Sequence, residues 1–253
     1  MKRSYECDLS AFWEAVASDY DVVADQFPAR YARAVDLVCA VGSAATRNGG
    51  VFIDLGCGTG RALARVVSAS PSSRGVGVDA SAGMLRLAKE RLSQQETSHA
   101  ALLLQYDVAS PGLVDAVTRH LRSFCRVPRV VAVAVAFVGH DLSPSKRTML
   151  LKSAARLLDT EGVLVVADLF SPDGEGETRL AALRELDEVS RCLDATDSGR
   201  LSAAASIWTD HYRTHSFDWT VDSVMGLLRQ QGLEQTRKIF FAGQVGVVTA
   251  ARR

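Results

Sequence analysis

Three glycines two residues apart fall in Asp54-Leu55-Gly56-Cys57-Gly58-Thr59-Gly60. A turn built this way lets the main chain approach a ligand closely, and a helix starting after it offers unpaired N–H groups to an anion. The dinucleotide fingerprint GxGxxG needs a third glycine at position 61, which is Arg61; here the third is Gly60, and Asp54 precedes the first. Two more acids close apolar runs, Asp79 in Val76-Gly77-Val78-Asp79 and Asp107 in Tyr106-Asp107-Val108. Each also has a plain structural reading: Asp79 as the cap of a helix beginning near Ser81, Asp107 as a turn residue. His211 and His215 stand i, i+4 with Asp210 beside them, the spacing of a metal pair on a helix face. No Glu follows His211 to complete HExxH, so a solvated face or a cleft wall is expected, and no metal.

Those residues need a frame. Residues 51–55, 75–79, 101–107, 129–136 and 162–169 are short runs rich in Val, Leu and Ile, the composition of strands buried on both faces of a parallel sheet. Helix-like stretches lie between them at 59–70, 81–93, 112–124 and 144–158. The alternation predicts an α/β fold with a doubly wound, mostly parallel sheet. Residues 9–44 read as one or two amphipathic helices carrying Phe12, Trp13, Tyr20, Phe27 and Tyr31, broken near Pro28, within an N-terminal cap over 1–48. Residues 171–220 are polar, partly helical and far longer than an ordinary connection of about 2–6 residues, and are expected to cover an active site. A helix at 221–231 and strands at 234–241 and 245–251 finish the chain; the link Ala242-Gly243-Gln244 is short enough to require an antiparallel pair.

Composition bounds the function. With 253 residues the chain is expected to form one domain, and 47% hydrophobic against 23% charged residues suffices for a core. Equal numbers of basic and acidic residues, 29 each, give no broad cationic surface for nucleic acid. The N-terminus runs from Lys2-Arg3 into Glu6 and Asp8 without an apolar stretch, and no run nears the ~18 apolar residues of a membrane span. A cytoplasmic protein, monomeric or homodimeric, is expected. Five scattered cysteines without a CxxC pair fit reduced thiols.

The sequence resembles the class I S-adenosylmethionine-dependent methyltransferases of the small-molecule type. Asp54 to Gly60 matches their DxGxGxG motif, and the similarity runs over 51–253: Val76–Asp79 looks like the second-strand acid, Tyr106-Asp107-Val108 like the third, and 157–164 like the approach to strand five. The resemblance implies a seven-stranded sheet with an antiparallel C-terminal strand, and S-adenosylmethionine as cofactor with S-adenosylhomocysteine as product. It places the methionine moiety near Gly56, Gly58 and Gly60, with Asp54 holding the ammonium. Asp79, followed by Ala80, takes the ribose hydroxyls; Asp107 and the Val108 N–H take the adenine, with Met84 packed on the base and Ala136 at the end of strand four. Three acids around a cofactor of net positive charge make electrostatic sense.

The family's loop after strand four faces the methyl group, and here it reads Ala136-Phe137-Val138-Gly139-His140-Asp141. It lacks the Asn/Asp-Pro-Pro-Tyr/Phe signature of base and glutamine-amide methylation, which favours a small-molecule acceptor. His140 stands where a general base would act, or where a group that only positions substrate would sit, with Asp141 either orienting it or capping the next helix. Trp13, Tyr20, Phe137, His211 and Tyr212 are the expected acceptor-site residues. Relatives of this fold that cyclise, decarboxylate or modify the cofactor are the alternative, with a non-catalytic scaffold after them and a nicotinamide oxidoreductase last.

Overall fold

A computed structural model describes residues 9–171 and 219–252 together with Arg184, Asp187, Glu188 and Arg191. The N-terminal region holds α1 (Leu9–Val16), a 3₁₀ turn at Ala17–Asp19, α2 (Tyr20–Ala24) and α3 (Ala29–Thr46), which is more pieces than the one or two helices expected. Pro28 fixes the entry to α3 with a φ of −48°.

The apolar runs are strands: β1 (Gly50–Leu55), β2 (Ser73–Asp79), β3 (Ala101–Gln105), β4 (Val130–Ala136), β5 (Val163–Leu169), β6 (Arg237–Ala242) and β7 (Val245–Ala251). They form one sheet in the order β3-β2-β1-β4-β5-β7-β6. The first five strands run parallel, while β7 enters antiparallel between β5 and β6, as the short link requires. The order reverses between β1 and β4, and the carboxyl ends of those strands flank the crevice where doubly wound sheets hold ligands.

Successive residues of each strand feed opposite cores. Phe52, Ala132 and Val165 pack with Val38 of α3 and Leu63 and Val66 of α4 (Arg61–Ser68), a face that α5 (Ala82–Gln94) joins through Leu92. Ile53, Val133 and Val166 pack with Leu113 and Val117 of α6 (Leu113–Phe124), Leu150 and Ala154 of α7 (Pro144–Leu157), and Val224 and Leu228 of α8 (Val221–Gln230).

Two boundaries move for local reasons. The helix expected from residue 59 starts at Arg61 because Gly60 holds a φ of +75°, and a Cβ there would lie 2.9 Å from that of Ala88. Strand β3 ends at Gln105, short of Asp107, whose carboxylate turns back to accept the Ala109 N–H at 2.8 Å. The expected insertion at 171–220 lies outside the described residues apart from Ser171, Trp219, Thr220 and the four isolated positions. Among the described residues no helix is long and apolar enough to cross a membrane.

Candidate active site

The glycine turn is tied to β2 before any ligand arrives. Gly56 and Cys57 both donate to the Val78 carbonyl, at 2.8 and 3.0 Å. Asp79 then joins two loops: Oδ2 accepts the Gly58 N–H and Oδ1 the Ser81 N–H, each at 2.9 Å. Ser81, and not Asp79, caps α5, its Oγ accepting the Met84 N–H at 3.1 Å. Asp54 at the end of β1 is 2% exposed. Burial, and then the Asp79 charge, push its carboxyl up to about 7 against the pull of the Leu63 N–H, and burial also raises Asp79 although the N–H groups of Ser81, Gly58 and Ala80 oppose it. Among the described residues no lysine or arginine pairs with either carboxylate.

Above this turn there is room, since a Cβ built on Gly58 meets nothing within 4 Å. Ala80 and Ala136 are half-buried beside it, and Val108 is buried in the core. Asp107 is exposed in its turn. Met84 is 2% exposed and packs against Val16 and Ala17, with Phe12 and Trp13 beside them, so the N-terminal segment covers the side chain expected to meet a base.

Sequence reasoning missed two acids that fasten this segment down. Glu14 of α1 accepts from Ser81 Oγ and from the Gly83 N–H, both at 2.7 Å, and these bonds hold its carboxyl below the usual range. Asp21 of α2 accepts from Thr59 Oγ1 and Arg61 Nε, both at 2.8 Å, and pairs with Arg91. The glycine turn and the entry to α5 are thus each gripped by one N-terminal carboxylate. No local pattern announces such contacts, because the partners lie 38 to 70 residues apart.

On the other side of the glycine turn lies a cavity of about 440 Å³. Trp13, Tyr20, Phe27, Tyr31, Phe137 and His140 line it, and Asp79 and Asp107 do not. Tyr31 and Phe137 stack at 5.5 Å, and Phe137 keeps a φ of +56°, an uncommon conformation for an aromatic residue that turns the chain away from β4.

His140 follows on a 3₁₀ turn, Gly139–Asp141, and its partners differ from those expected. Its Nδ1 is 2.6 Å from Oδ1 of Asp168, the buried acid near the end of β5, while Nε2 lies 3.3 Å from Asp141 Oδ1. Asp141 does not cap α7, which begins at Ser143-Pro144. Burial opposes a charge on the imidazole, but Asp141 and Asp168 together outweigh it and raise His140 to about 9. The turn itself is clamped at one residue: the Gly139 N–H donates to Asp168 Oδ2 at 2.7 Å, and Arg147 Nε donates to the Gly139 carbonyl at 2.8 Å. Trp219 closes over it, 2.3 Å from where a Gly139 Cβ would stand.

The carboxyl edge of the sheet therefore brings together Asp54, the glycines, Asp79, Phe137 and His140, with Trp13 and Tyr20 above. His211 and Tyr212 lie outside the described residues, as do Asp210 and His215. Among the described residues no group of His, Cys, Asp and Glu is arranged to hold a metal.

A strand order of 3-2-1-4-5-7-6 with an acid-preceded glycine turn after β1 defines the class I S-adenosylmethionine-dependent methyltransferase fold. Residues 52–162 match the family model described as a methyltransferase domain. Over 50 residues it is 50% identical to trans-aconitate 2-methyltransferase of Azoarcus sp. (strain BH72), a stretch covering 20% of each protein. An O-methyltransferase family protein from Burkholderia thailandensis superposes with a TM-score of 0.62 at 16% identity, over 98% of this chain and 61% of that one. Magnesium protoporphyrin IX methyltransferase from Synechocystis PCC 6803, solved with bound S-adenosylmethionine, does so with 0.56 at 14%, over 89% and 81%. The chain thus spans a fifth of the curated relative's length and about three fifths of the Burkholderia protein's.

Proposed function

We propose that this protein transfers a methyl group from S-adenosylmethionine to a small-molecule acceptor. The observation that carries the reading is a pair of acids, buried Asp54 and half-buried Asp79, beside a glycine turn with open space above Gly58. Carboxylates withdrawn from water and without a cationic partner among the described residues suit a ligand that brings positive charge. When bound, the cofactor supplies an electrophilic methyl group on a sulfonium and leaves as S-adenosylhomocysteine.

The residues divide the work. Asp54 faces the ammonium and the N–H groups at the start of α4 face the carboxylate. Asp79 accepts from the ribose hydroxyls with the lone pairs that its backbone N–H partners leave open. Asp107 and the Val108 N–H take the adenine, with Ala80 and Ala136 as walls.

Trp13, Tyr20 and Phe137 hold the acceptor by its apolar face, and trans-aconitate 2-methyltransferase and magnesium protoporphyrin IX methyltransferase carry small-molecule substrates in their names. Alignment of the acceptor can supply about 7–11 kcal/mol of the barrier through effective molarity. His140 has a carboxylate at each nitrogen and keeps its proton at neutral pH, so Nε2 must leave Asp141 before it donates to the acceptor, and must also lose its proton before it acts as a base.

Proton linkage tests the reading. Asp54 binds more protons in the folded than in the unfolded chain, so its contribution to stability falls as pH rises from the ordinary carboxylate range through about 7. An ammonium beside it reverses the preference and expels the proton. Calorimetric titration of S-adenosylhomocysteine at pH 6.5, in buffers of different ionisation enthalpy, should therefore show proton release, and Asp54→Asn should abolish it. Binding without proton exchange would remove Asp54 from the cofactor site.

A further inference from the structure

His140 hangs from a short turn, and a buried arginine with no part in the chemistry above holds that turn in place. Arg147 is 3% exposed in the first turn of α7. A helical side chain leans back toward the helix N-terminus. From this position Arg147 reaches the 3₁₀ turn before α7, and its Nε donates to the Gly139 carbonyl, eight residues back, at 2.8 Å. That carbonyl belongs to the peptide plane shared with His140, so fixing it fixes the backbone that carries the imidazole. On the other side of Gly139 the N–H donates to Asp168 Oδ2 at 2.7 Å, and Asp168 Oδ1 stands 2.6 Å from His140 Nδ1. Gly139 is thus held between an anion at its N–H and a cation at its carbonyl. The Leu142 N–H shares the carbonyl at 3.1 Å, but that bond lies within the turn and does not tie it to α7.

Trp219 backs the clamp. Its Nε1 donates to the Leu169 carbonyl at 3.0 Å, its ring lies against Gly139, and the Arg147 guanidinium sits 5.2 Å from the ring centroid. Withdrawing a guanidinium from water is costly, and an apolar side chain of similar length would fill the space without that cost. What the arginine adds is a donor and a charge beside the peptide that carries His140.

We propose that Arg147 is a positioning residue of the acceptor site: it holds the Gly139–His140 peptide so that His140 keeps its bond to Asp168 and its place in the wall of the acceptor cavity. The role in methyl transfer rests on the reading above, whereas the clamp is a property of the protein without ligand.

The test is proton NMR of the whole protein without ligand. An imidazole N–H in so short a bond resonates downfield of the backbone amides, and His140→Gln, which lacks it, assigns the signal. Glutamine carries Nε2 where arginine carries Nε, so Arg147→Gln keeps the donor and drops the charge, while Arg147→Met fills the space with neither. At pH 7 the proton is expected to exchange with water at rates within about threefold of each other in wild type and Arg147→Gln, and about tenfold faster or more in Arg147→Met, the loss of about one hydrogen bond. An arginine that served stability alone would lower the melting temperature and leave this proton unchanged. Equal exchange in all three proteins, equal loss in both variants, or no downfield signal in the wild type overturns the proposal. Should Arg147→Met not fold, the wild type still decides: the Arg147 Nε–H, assigned by its absence from Arg147→Gln, is expected to be protected like the His140 proton, and a freely exchanging Nε–H overturns the clamp. S-adenosylhomocysteine is titrated separately, and its affinity for both variants is expected to stay within about threefold of wild type. A larger change would place the action of Arg147 on the cofactor side and overturn the proposal, whereas failure of the wild type to bind it would sink the methyltransferase reading and leave the exchange rates to judge the clamp.

Discussion

Asp79→Ala is expected to weaken S-adenosylhomocysteine binding by about 10²–10⁴-fold, the equivalent of two hydrogen bonds to a charged acceptor at about 1.5–3 kcal/mol each. The loss has a second source on the protein side. Asp79 anchors the N–H groups of Gly58 and Ser81, so its removal loosens the glycine turn and the entry to α5 together. Asp79→Asn separates the two effects, since it keeps the shape but presents an NH₂ group to one of those N–H donors. It should bind more weakly than wild type and more tightly than the alanine variant. Titration calorimetry on all three proteins checks the order, and an affinity for Asp79→Ala within about threefold of wild type would move the sugar away from this acid.

Removing Asp168 should do more damage to the fold than any other change at the site. Its carboxylate is fully buried and accepts from His140 Nδ1, the Gly139 N–H and the Leu169 N–H. Asp168→Ala leaves the His140 charge without its nearer counter-ion, and breaking a buried pair from one side costs about 3–5 kcal/mol. The pH dependence gives the sharper signature. His140 is raised above its ordinary value, so the stability it contributes is complete below about pH 6.5 and is lost as pH climbs through about 9. In Asp168→Ala that loss shifts to lower pH, and in His140→Gln it disappears. Urea unfolding of the three proteins at several pH values between 6 and 10 measures both effects. A wild-type curve that matches His140→Gln across this range would show that His140 is not held charged.

The glycine turn of this site was legible because its geometry is local. Asp54 to Gly60 is a single strand-to-helix turn, and the positive φ angles at Gly56, Gly58 and Gly60 account for the residue type at each. The sheet was legible for the same reason: uninterrupted runs of Val, Leu and Ile between amphipathic stretches leave few arrangements open. The acceptor side was not. Asp141 drew attention because it adjoins His140, yet the shorter contact comes from Asp168, 28 residues away at the end of an apolar strand, where one acid carries no pattern. Glu14 and Asp21 escaped notice likewise, since only the packing of α1 and α2 over the loops gives them partners.

The most direct measurement is a crystal structure of the complex with S-adenosylhomocysteine. The homocysteine should lie along Gly56–Gly60 with its ammonium at Asp54, the ribose hydroxyls should reach Asp79, and the sulfur should face the cavity walled by Phe137 and His140. A nucleoside bound elsewhere on the molecule, or lying in the crevice without touching Asp79, would contradict the account.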